Sequence, residues 1–375
     1  MDLSSQAATI LVVDDVSINV LLLVQILASE GFRTLTAADG QSALQRCSSE
    51  PVDLILLDVM MPGLSGYEVC ASLKSNPSTS EIPVIFISAL DDSGNRIAGF
   101  SAGGVDYIPK PFYPKEVLAR VRVHLRLRQA ECMMRQHREW SAELQEAQQS
   151  MLVTPDEIPE GCFAVHYRPL DAVGGDIYDV IPLSGDRVGY FVADVSGHGV
   201  KASFLTGAVK ALLRQYSSPM FTMEDTMRNM NSVLRPTLAD GAYVTACYAR
   251  LSKNRRQLTV VSAGHPPLIL ASSRGGQVID IESEPLGVFG SLVYQKQEIE
   301  LQFGDRFYLY TDGLIEDPVV AGCGRAMGLD NLRAACEHRH GLPLDTAVQA
   351  IVADVKPGAS YVADDILLLG AEIRS

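Results

Sequence analysis

Residues 54–68 read LILLDVMMPGLSGYE. The four aliphatic residues Leu54-Ile55-Leu56-Leu57 suit a strand buried on both faces, as inner strands of parallel sheets are. Asp58 ends the run, Pro62-Gly63 marks a turn, and Gly66–Lys74 continues with helical period. A strand handing over to a helix in this way is half of a βαβ unit. Similar apolar runs stand on either side, Thr9-Ile10-Leu11-Val12-Val13 and Val84-Ile85-Phe86-Ile87, with another amphipathic stretch at Ile18–Ser29. The pattern predicts an α/β domain with a doubly wound, five-stranded parallel sheet, in which Tyr107-Ile108-Pro109 forms the last strand.

The polar residues at the strand ends carry the chemistry. Asp14 and Asp15 follow the first strand, Asp58 the third and Ser88 the fourth, while Lys110 follows the fifth. Ligands of open parallel sheets bind at these carboxyl ends. Carboxylates gathered there repel one another unless a hard cation such as Mg²⁺ bridges them. With the cation and Lys110 neutralising a phosphoryl group, one carboxylate can attack in line, and Asp58 is the candidate nucleophile. A single acid at a strand end usually caps a loop, a reading that does not extend to all five positions together.

The segments DVMMPGLSGYE (58–68) and IPKPF (108–112) resemble the receiver domain of two-component response regulators, over residues 8–125. The resemblance implies that Asp58 accepts a phosphoryl group from a sensor histidine kinase. It further implies that Asp14, Asp15, Asp58 and the Met60 carbonyl hold Mg²⁺, that Ser88 and Lys110 contact the phosphate, and that Tyr107 is the aromatic switch residue. By the same resemblance the Lys110-Pro111 bond is cis.

From Pro114 no helix breaker occurs until Pro155, which predicts a helical linker over 115–153. Val123, Leu127, Ala130, Met134, His137, Ser141, Leu144, Gln148 and Met151 recur at alternating fours and threes, a heptad stripe with six apolar positions. A short dimeric coiled coil would explain the stripe, and so would a single helix packed on a neighbouring domain. The basic residues Arg120, Arg122, Arg126 and Arg128 read as a solvated helix face rather than a nucleic-acid patch.

After Pro159 the chain turns β-rich. Strands are expected at Phe163–Arg168, Val188–Val195, Tyr243–Leu251, Gln257–Ala263, Pro267–Ala271, Arg306–Tyr310 and Ile366–Ile373, and helices at Lys201–Tyr216, Met223–Leu234, Asn331–His338 and Leu344–Val355. This is an α+β pattern, a β-sandwich flanked by helices. Acidic signatures recur at its turns: Gly174-Gly175-Asp176, Asp194-Val195-Ser196-Gly197-His198-Gly199, Tyr310-Thr311-Asp312-Gly313 and Asp364-Asp365. One Asp-Gly pair is only a turn. Four, each at a strand boundary, offer hard oxygen ligands that fit two Mg²⁺ or Mn²⁺ ions and not zinc. Such a pair of ions can activate a water and clamp a phosphate.

These signatures, with Tyr167-Arg168-Pro169, Asn231, Val244-Thr245-Ala246, Ala263-Gly264-His265-Pro266 and Pro285-Leu286-Gly287, resemble the metal-dependent protein serine/threonine phosphatases (PPM family), in their bacterial sporulation and stress-response branch. The resemblance spans residues 140–373, with the domain proper at 154–375, and implies a four-layer β-sandwich flanked by helices. It implies that Asp194 bridges both metals, that the Val195 carbonyl holds one, that Asp312 and Asp364 complete the coordination of the second ion, and that Asp176 binds directly or through water. Asp365 is the other acidic member of its pair and counts among the expected ligands. Two departures stand out: Leu367 replaces a usual Thr, and Met151-Leu152-Val153 replaces Leu-Leu-Pro. Arg168 could contact substrate phosphate or form a surface ion pair, His265 shapes a turn before Pro266, and His198 lies in the metal loop.

Composition bounds the rest. Thirty-one Lys and Arg face 45 Asp and Glu, a net charge of −14, which disfavours nucleic-acid binding. Seven scattered cysteines contain no CxxC pair, residues 1–9 lack a basic leader, and no window is long and apolar enough for a membrane span. The expectation is a cytoplasmic response regulator whose output is a phosphatase acting on a phosphoserine anti-sigma-factor antagonist, with homodimerisation through the linker helix. The alternative is a non-enzymatic adaptor whose phosphatase-like domain docks a regulatory protein. A DNA-binding output would need a helix-turn-helix, and none is visible.

Overall fold

The computed structural model describes residues 8–89, 95–197, 199–239, 241–290, 293–316, 325–357 and 364–374. His198 therefore lies outside the described residues. The chain divides into two compact units, Met1–Glu139 and Trp140–Ser375.

The first unit is a parallel sheet of order β2-β1-β3-β4-β5, built from β1 (Thr9–Val13), β2 (Arg33–Ala37), β3 (Leu54–Asp58), β4 (Val84–Ala89) and β5 (Asp106–Lys110). The apolar runs are continuous because successive residues serve opposite faces. Ile10, Val12, Leu54 and Leu56 pack with Leu23 and Leu27 of α1 (Ser17–Ala28) and with Val117 and Val121 of α5 (Pro114–Gln149). Leu11, Val13, Ile55 and Leu57 pack on the other side with residues of α2 (Gly40–Ser49) and α3 (Gly66–Ser75). Ser65 starts α3 through a capping box with Glu68, and Asp39 caps α2 by accepting from the Ser42 N–H at 2.8 Å. Such caps satisfy N–H groups that a helix start leaves unpaired.

Three elements here escaped the hydrophobic pattern, β2, α2 and the short helix α4 (Asn95–Ser101). Arg33–Ala37 is an edge strand with only Ala37 buried, and Gly40–Ser49 is largely polar.

The second unit carries two antiparallel sheets, β13-β10-β9-β8-β7 and β12-β11-β14-β15-β6. The first uses β7 (Asp176–Leu183), β8 (Arg187–Val195), β9 (Val244–Leu251), β10 (Gln257–Ala263) and β13 (Lys296–Glu300). The second uses β6 (Phe163–Arg168), β11 (Leu268–Ser272), β12 (Gly275–Ile279), β14 (Arg306–Tyr310) and β15 (Ile366–Glu372). Strand alternation sorts the cores. Tyr190 and Val192 meet Phe307, Leu309 and Leu369 between the sheets, while Phe191, Ala193 and Val195 face α6 (Val200–Tyr216) and α7 (Met223–Leu234). Tyr308, Tyr310 and Leu368 face α8 (Arg325–His338) and α9 (Leu344–Val355). The result is the expected sandwich of four layers, helix on sheet on sheet on helix.

Strands β7, β12 and β13 were not among the expected ones, because Asp176, Asp179 and Pro182 interrupt the first and the other two are polar edges. Helix α8 begins at Arg325 rather than at Asn331. Leu367, where a Thr was usual, is fully buried between the sheets.

Helix α5 is continuous from Pro114 to Gln149, and the two units divide within it. Its early turns belong to the first unit: Arg128 donates to the Val52 carbonyl at 2.9 Å, and Arg135 pairs with Glu81. Three apolar residues of the heptad stripe, Val123, Leu127 and Met134, are about half exposed, at 52%, 53% and 51%. Gln148 breaks with the stripe. Instead of lying on an outer seam it is buried within the second unit.

Candidate functional site

In the first unit the strand-end residues converge as expected. Asp14, Asp15 and Asp58 offer carboxylate oxygens within 4.8 Å of one another. Among the described residues they are the one such group of His, Cys, Asp or Glu. Asp14 is held by the Val16 N–H at 2.9 Å and by the Asn19 amide at 3.0 and 3.1 Å. The Lys110 ammonium reaches Asp14 and Asp58, each at 2.9 Å.

Burial holds the Asp58 carboxyl above the usual range, and Asp14 adds to this, while Lys110 and the Met60 N–H pull it down. Burial alone would lower the Lys110 pKa, but its hydrogen bonds to Asp14 and Asp58 hold it above normal. Three carboxylates with one ammonium leave a net negative pocket of hard oxygens, which suits a small divalent cation. Gly66 lies directly behind Asp58, where a Cβ would stand 2.2 Å from the Asp58 carbonyl oxygen. Ser88 is buried near the end of β4. Tyr107 is buried against Phe86 and Phe100 at 5.3 Å between ring centroids, and Gly99 leaves room for its hydroxyl. The Lys110-Pro111 bond is cis.

In the second unit Asp176 opens β7 and stands opposite Asp194 on β8 in the antiparallel register. Burial raises the Asp176 carboxyl well above normal, with Asp194, Asp365 and Asp312 adding repulsion. Asp194 is pushed up to about 7, by burial first and then by Asp312, Asp364 and Asp365. Asp312, in a single 3₁₀ turn after β14, is raised by burial and by Glu316. The charges acting most on Asp176 and Asp194 are all carboxylates. Buried acids that strain against one another fit divalent cations, which would relieve the repulsion.

Small residues let these turns close. A Cβ on Gly175 would stand 2.6 Å from the Val195 carbonyl oxygen, the carbonyl expected to face a metal. The Thr311 hydroxyl donates to Asp176 at 2.6 Å and accepts from the Leu367 N–H at 3.2 Å.

Asp365 behaves differently from the expectation that it joins the metal shell. Its Oδ1 accepts from the Leu170 N–H at 2.7 Å, and its Oδ2 accepts from the N–H groups of Gly175 and Asp176 at 2.6 and 3.3 Å. With both oxygens turned to backbone donors, Asp365 ties down the Gly175-Asp176 turn, while Asp364 is the exposed member of the pair. Arg168 is exposed at the end of β6, opposite Ile366. His265 is buried with its Nδ1 2.9 Å from the Thr245 hydroxyl, and burial depresses its pKa to about 3, so it is a neutral turn-shaping group. An open cavity of about 890 Å³ lies between the end of α7 and the loop before β9. Its lining includes Asn231, Arg235 and Tyr243, and Tyr243 exchanges two hydrogen bonds with Ser196.

The sequence placed Gln148 on the heptad stripe and Thr311 within an acidic signature without a part in the site, and gave Asp179 none. Asp179 is buried under Arg214, at 2.7 and 3.0 Å, and Lys210, at 3.2 Å, which fasten α6 to β7.

Residues 184–374 match the family described as Stage II sporulation protein E (SpoIIE), and residues 10–122 match the response regulator receiver domain. The response regulator PleD of Caulobacter vibrioides is 47% identical over 116 residues, which are 31% of this chain and 26% of PleD. The transcriptional regulatory protein YvrH of Bacillus subtilis is 41% identical over 120 residues, 32% of this chain and 49% of YvrH. The chain thus spans between a quarter and a half of the length of these curated relatives. Among solved structures, the RsbU and RsbW domains of Rv1364c from Mycobacterium tuberculosis align at TM-score 0.51 and 25% identity, covering 56% of this chain and 59% of that one. The SiaA-PP2C domain of Pseudomonas aeruginosa aligns at TM-score 0.55 over 64% of this chain and 98% of its own, and at 22% identity it speaks to the fold. Among the described residues no helix is long and apolar enough to cross a membrane.

Proposed function

The chain belongs to the Stage II sporulation protein E family, and on that premise we propose a response regulator in which phosphorylation of Asp58 controls a metal-dependent protein serine/threonine phosphatase. The receiver occupies residues 8–125, the helical linker 115–153 and the phosphatase domain 154–375. The observation that carries the reading is the group of Asp176, Asp194 and Asp312: Asp176 is buried opposite Asp194 in the β7–β8 register, Asp194 and Asp312 are partly buried, and each is raised above its ordinary pKa in a unit whose fold is that of the family.

In the receiver, Asp14, Asp15, Asp58 and the Met60 carbonyl would hold Mg²⁺, which lowers the charge barrier to an approaching phosphoryl group. A carboxylate oxygen of Asp58 attacks the phosphorus of a phosphohistidine on a sensor kinase, the P–N bond breaks, and an acyl phosphate forms. Lys110, already on Asp58, turns to a phosphoryl oxygen, and the Ser88 hydroxyl hydrogen-bonds to another.

In the phosphatase, Asp176, Asp194, Asp312, Asp364 and the Val195 carbonyl would hold two Mn²⁺ or Mg²⁺ ions. Such ions supply an activated water and an electrostatic clamp on the phosphate. Arg168, at the rim, suits bidentate recognition of phosphate oxygens. The cavity beside Tyr243 has room for a protein segment carrying the phosphoserine. The substrate we propose is a phosphoserine anti-sigma-factor antagonist, on the resemblance of the site's motifs to the stress-response branch of these phosphatases. The half-exposed Val123, Leu127 and Met134 on α5 support a homodimer through the linker. The reading places the protein in the cytoplasm, free of nucleic acid and membrane.

The test is Mn²⁺-dependent release of phosphate from a phosphoserine protein. Wild type should be active and Asp194→Ala inactive, while Asp58→Ala should be active but indifferent to a phosphodonor. A wild type without metal-dependent activity would favour the non-enzymatic adaptor.

A further inference from the structure

Gln148 is the last buried residue of α5, 6% exposed, and it belongs to the same compact unit as the carboxylates of β7 and β8. Its amide lies along the backbone of Gly174 and makes two hydrogen bonds to that one residue. The Nε2 donates to the Gly174 carbonyl at 2.8 Å, and the Oε1 accepts from the Gly174 N–H at 3.0 Å. The Tyr167 hydroxyl adds a longer contact to the same Oε1, at 3.4 Å. Paired in this way, a primary amide imitates the edge of a neighbouring strand. Both polar groups of Gly174 are used, so shifting the helix end by half a hydrogen-bond length would leave two buried groups unpaired.

The chain beyond Gly174 is held as closely. Asp365 takes the N–H groups of Gly175 and Asp176, and the Thr311 hydroxyl takes the Asp176 carboxylate at 2.6 Å. The space around Gly174 is full: a Cβ there would stand 2.3 Å from Asp365 Oδ2. Just past the helix, Lys210 donates to the Met151 carbonyl and pairs with Asp179 of β7 at 3.2 Å. The end of α5 is thus fastened to the start of β7 at one point and to its middle at another. From the amide of Gln148 to the carboxylate of Asp176 the path runs through two peptide units of backbone.

We infer that Gln148 is a positioning residue for the metal centre: through Gly174 it sets the placement of Asp176, and it is where the phosphatase unit reads the register of the connecting helix. The inference rests on the reading of Asp176 as a metal ligand. A helix that slides or rotates carries the amide away from Gly174, and the Asp176 turn then loses one of its three supports, Asp365 and Thr311 remaining. Partners that orient metal ligands in this way typically change metal affinity by about 10–100-fold when removed.

The experiment measures Mn²⁺ binding by calorimetry, together with exchange protection of the Gly174 amide. The proteins are the full chain and its Gln148→Ala, Gln148→Glu and Gln149→Ala variants. Gln148→Ala should weaken Mn²⁺ binding by about tenfold and expose the Gly174 amide to exchange, with kcat at saturating Mn²⁺ changed far less than the metal requirement. Gln148→Glu keeps the volume, so it guards against simple unfolding. Its carboxylate faces the Gly174 carbonyl at high pH, but its protonated form can donate to that carbonyl. The deficit relative to wild type should therefore narrow as pH falls. Gln149→Ala, on the exposed neighbour, should match wild type.

Unchanged Mn²⁺ affinity in folded Gln148→Ala, or a Gln148→Glu deficit independent of pH, overturns the inference. Asp194→Ala separates this failure from failure of the underlying reading. If Asp194→Ala abolishes Mn²⁺ binding and Gln148→Ala leaves it intact, the positioning role alone is wrong. If neither variant affects it, the metal assignment is wrong as well.

Discussion

At the scale of single residues, the readable signals were those whose position alone implies chemistry. Asp14, Asp58, Ser88 and Lys110 could be found because each ends or follows an apolar run, and the carboxyl ends of a parallel sheet meet by topology. Asp176, Asp194, Asp312 and Asp364 could be found because glycines or a second acid flank them at turns. Gln148 and Thr311 could not. A glutamine at the end of a polar helix looks like every other glutamine, and its meaning comes from a glycine 26 positions away. The backbone partners of Asp365 were hidden for a similar reason. Adjacent acids in a turn point in different directions, and only the backbone path of residues 170–176 shows which one has been taken up by N–H groups.

The same carboxylates predict a pH dependence. Asp194 rises from an ordinary 3.8 to about 7, so the folded, metal-free unit prefers it protonated. That preference favours the fold at low pH and is lost as pH rises through about 7, where the buried charges repel. Cations reverse the sign, because they bind the carboxylate. The gain in Tm on adding saturating Mn²⁺ should therefore be larger at about pH 8 than at about pH 6, by about 3–6 °C in all, since a pKa of about 7 leaves roughly one pH unit of proton competition between them, ~1.4 kcal/mol, in a unit of moderate size. Scanning calorimetry at the two pH values checks this. An equal gain at both would mean that Asp194 does not titrate in the metal-free protein.

At the scale of elements, strands buried on both faces were legible, and polar edges were not. Lys296–Glu300 buries only Ile299, so its place beside β10 follows from partner strands rather than from its own pattern. Helix α5 shows both outcomes within one element. Its heptad spacing was visible, but the spacing does not tell that the stripe splits into an exposed apolar portion and a buried amide. The exposed portion gives a prediction. If Val123, Leu127 and Met134 form the seam of a homodimer, then Leu127→Glu with Met134→Glu places four like charges along it. Charges at seam positions are costly only when a partner helix covers them. Sedimentation should show the dimer giving way to monomer, with the unfolding temperature of the monomer little changed, because these side chains are already about half exposed. A double variant that stays dimeric would place the interface elsewhere.

At the scale of the whole molecule, some of the carboxylates behind the −14 charge act on one another, Asp14, Asp15 and Asp58 gathered in one compact unit and Asp176 with the acids that repel it in the other. The units have separate cores, and the covalent path between them is α5. Two cores predict two calorimetric transitions, each with its own ligand. A phosphoryl mimic such as beryllofluoride, with Mg²⁺, should raise the transition of the receiver, and Asp58→Ala should abolish that shift. Mn²⁺ should raise the other, by about 2.7 kcal/mol at a hundredfold excess over its dissociation constant, and Asp194→Ala should abolish it. Control of the phosphatase by Asp58 requires more than two independent shifts. Coupling free energies are reciprocal, so if the mimic changes Mn²⁺ affinity, Mn²⁺ must change the affinity for the mimic by the same factor. A switch from mostly off to mostly on needs a differential of about 5.5 kcal/mol, whereas ordinary coupling of about 1–3 kcal/mol grades the activity. Measuring Mn²⁺ affinity with and without the mimic, in wild type and in Gln148→Ala, distinguishes these cases. Coupling that vanishes in Gln148→Ala routes it through the helix end, and coupling absent from wild type removes Asp58 from control of the phosphatase.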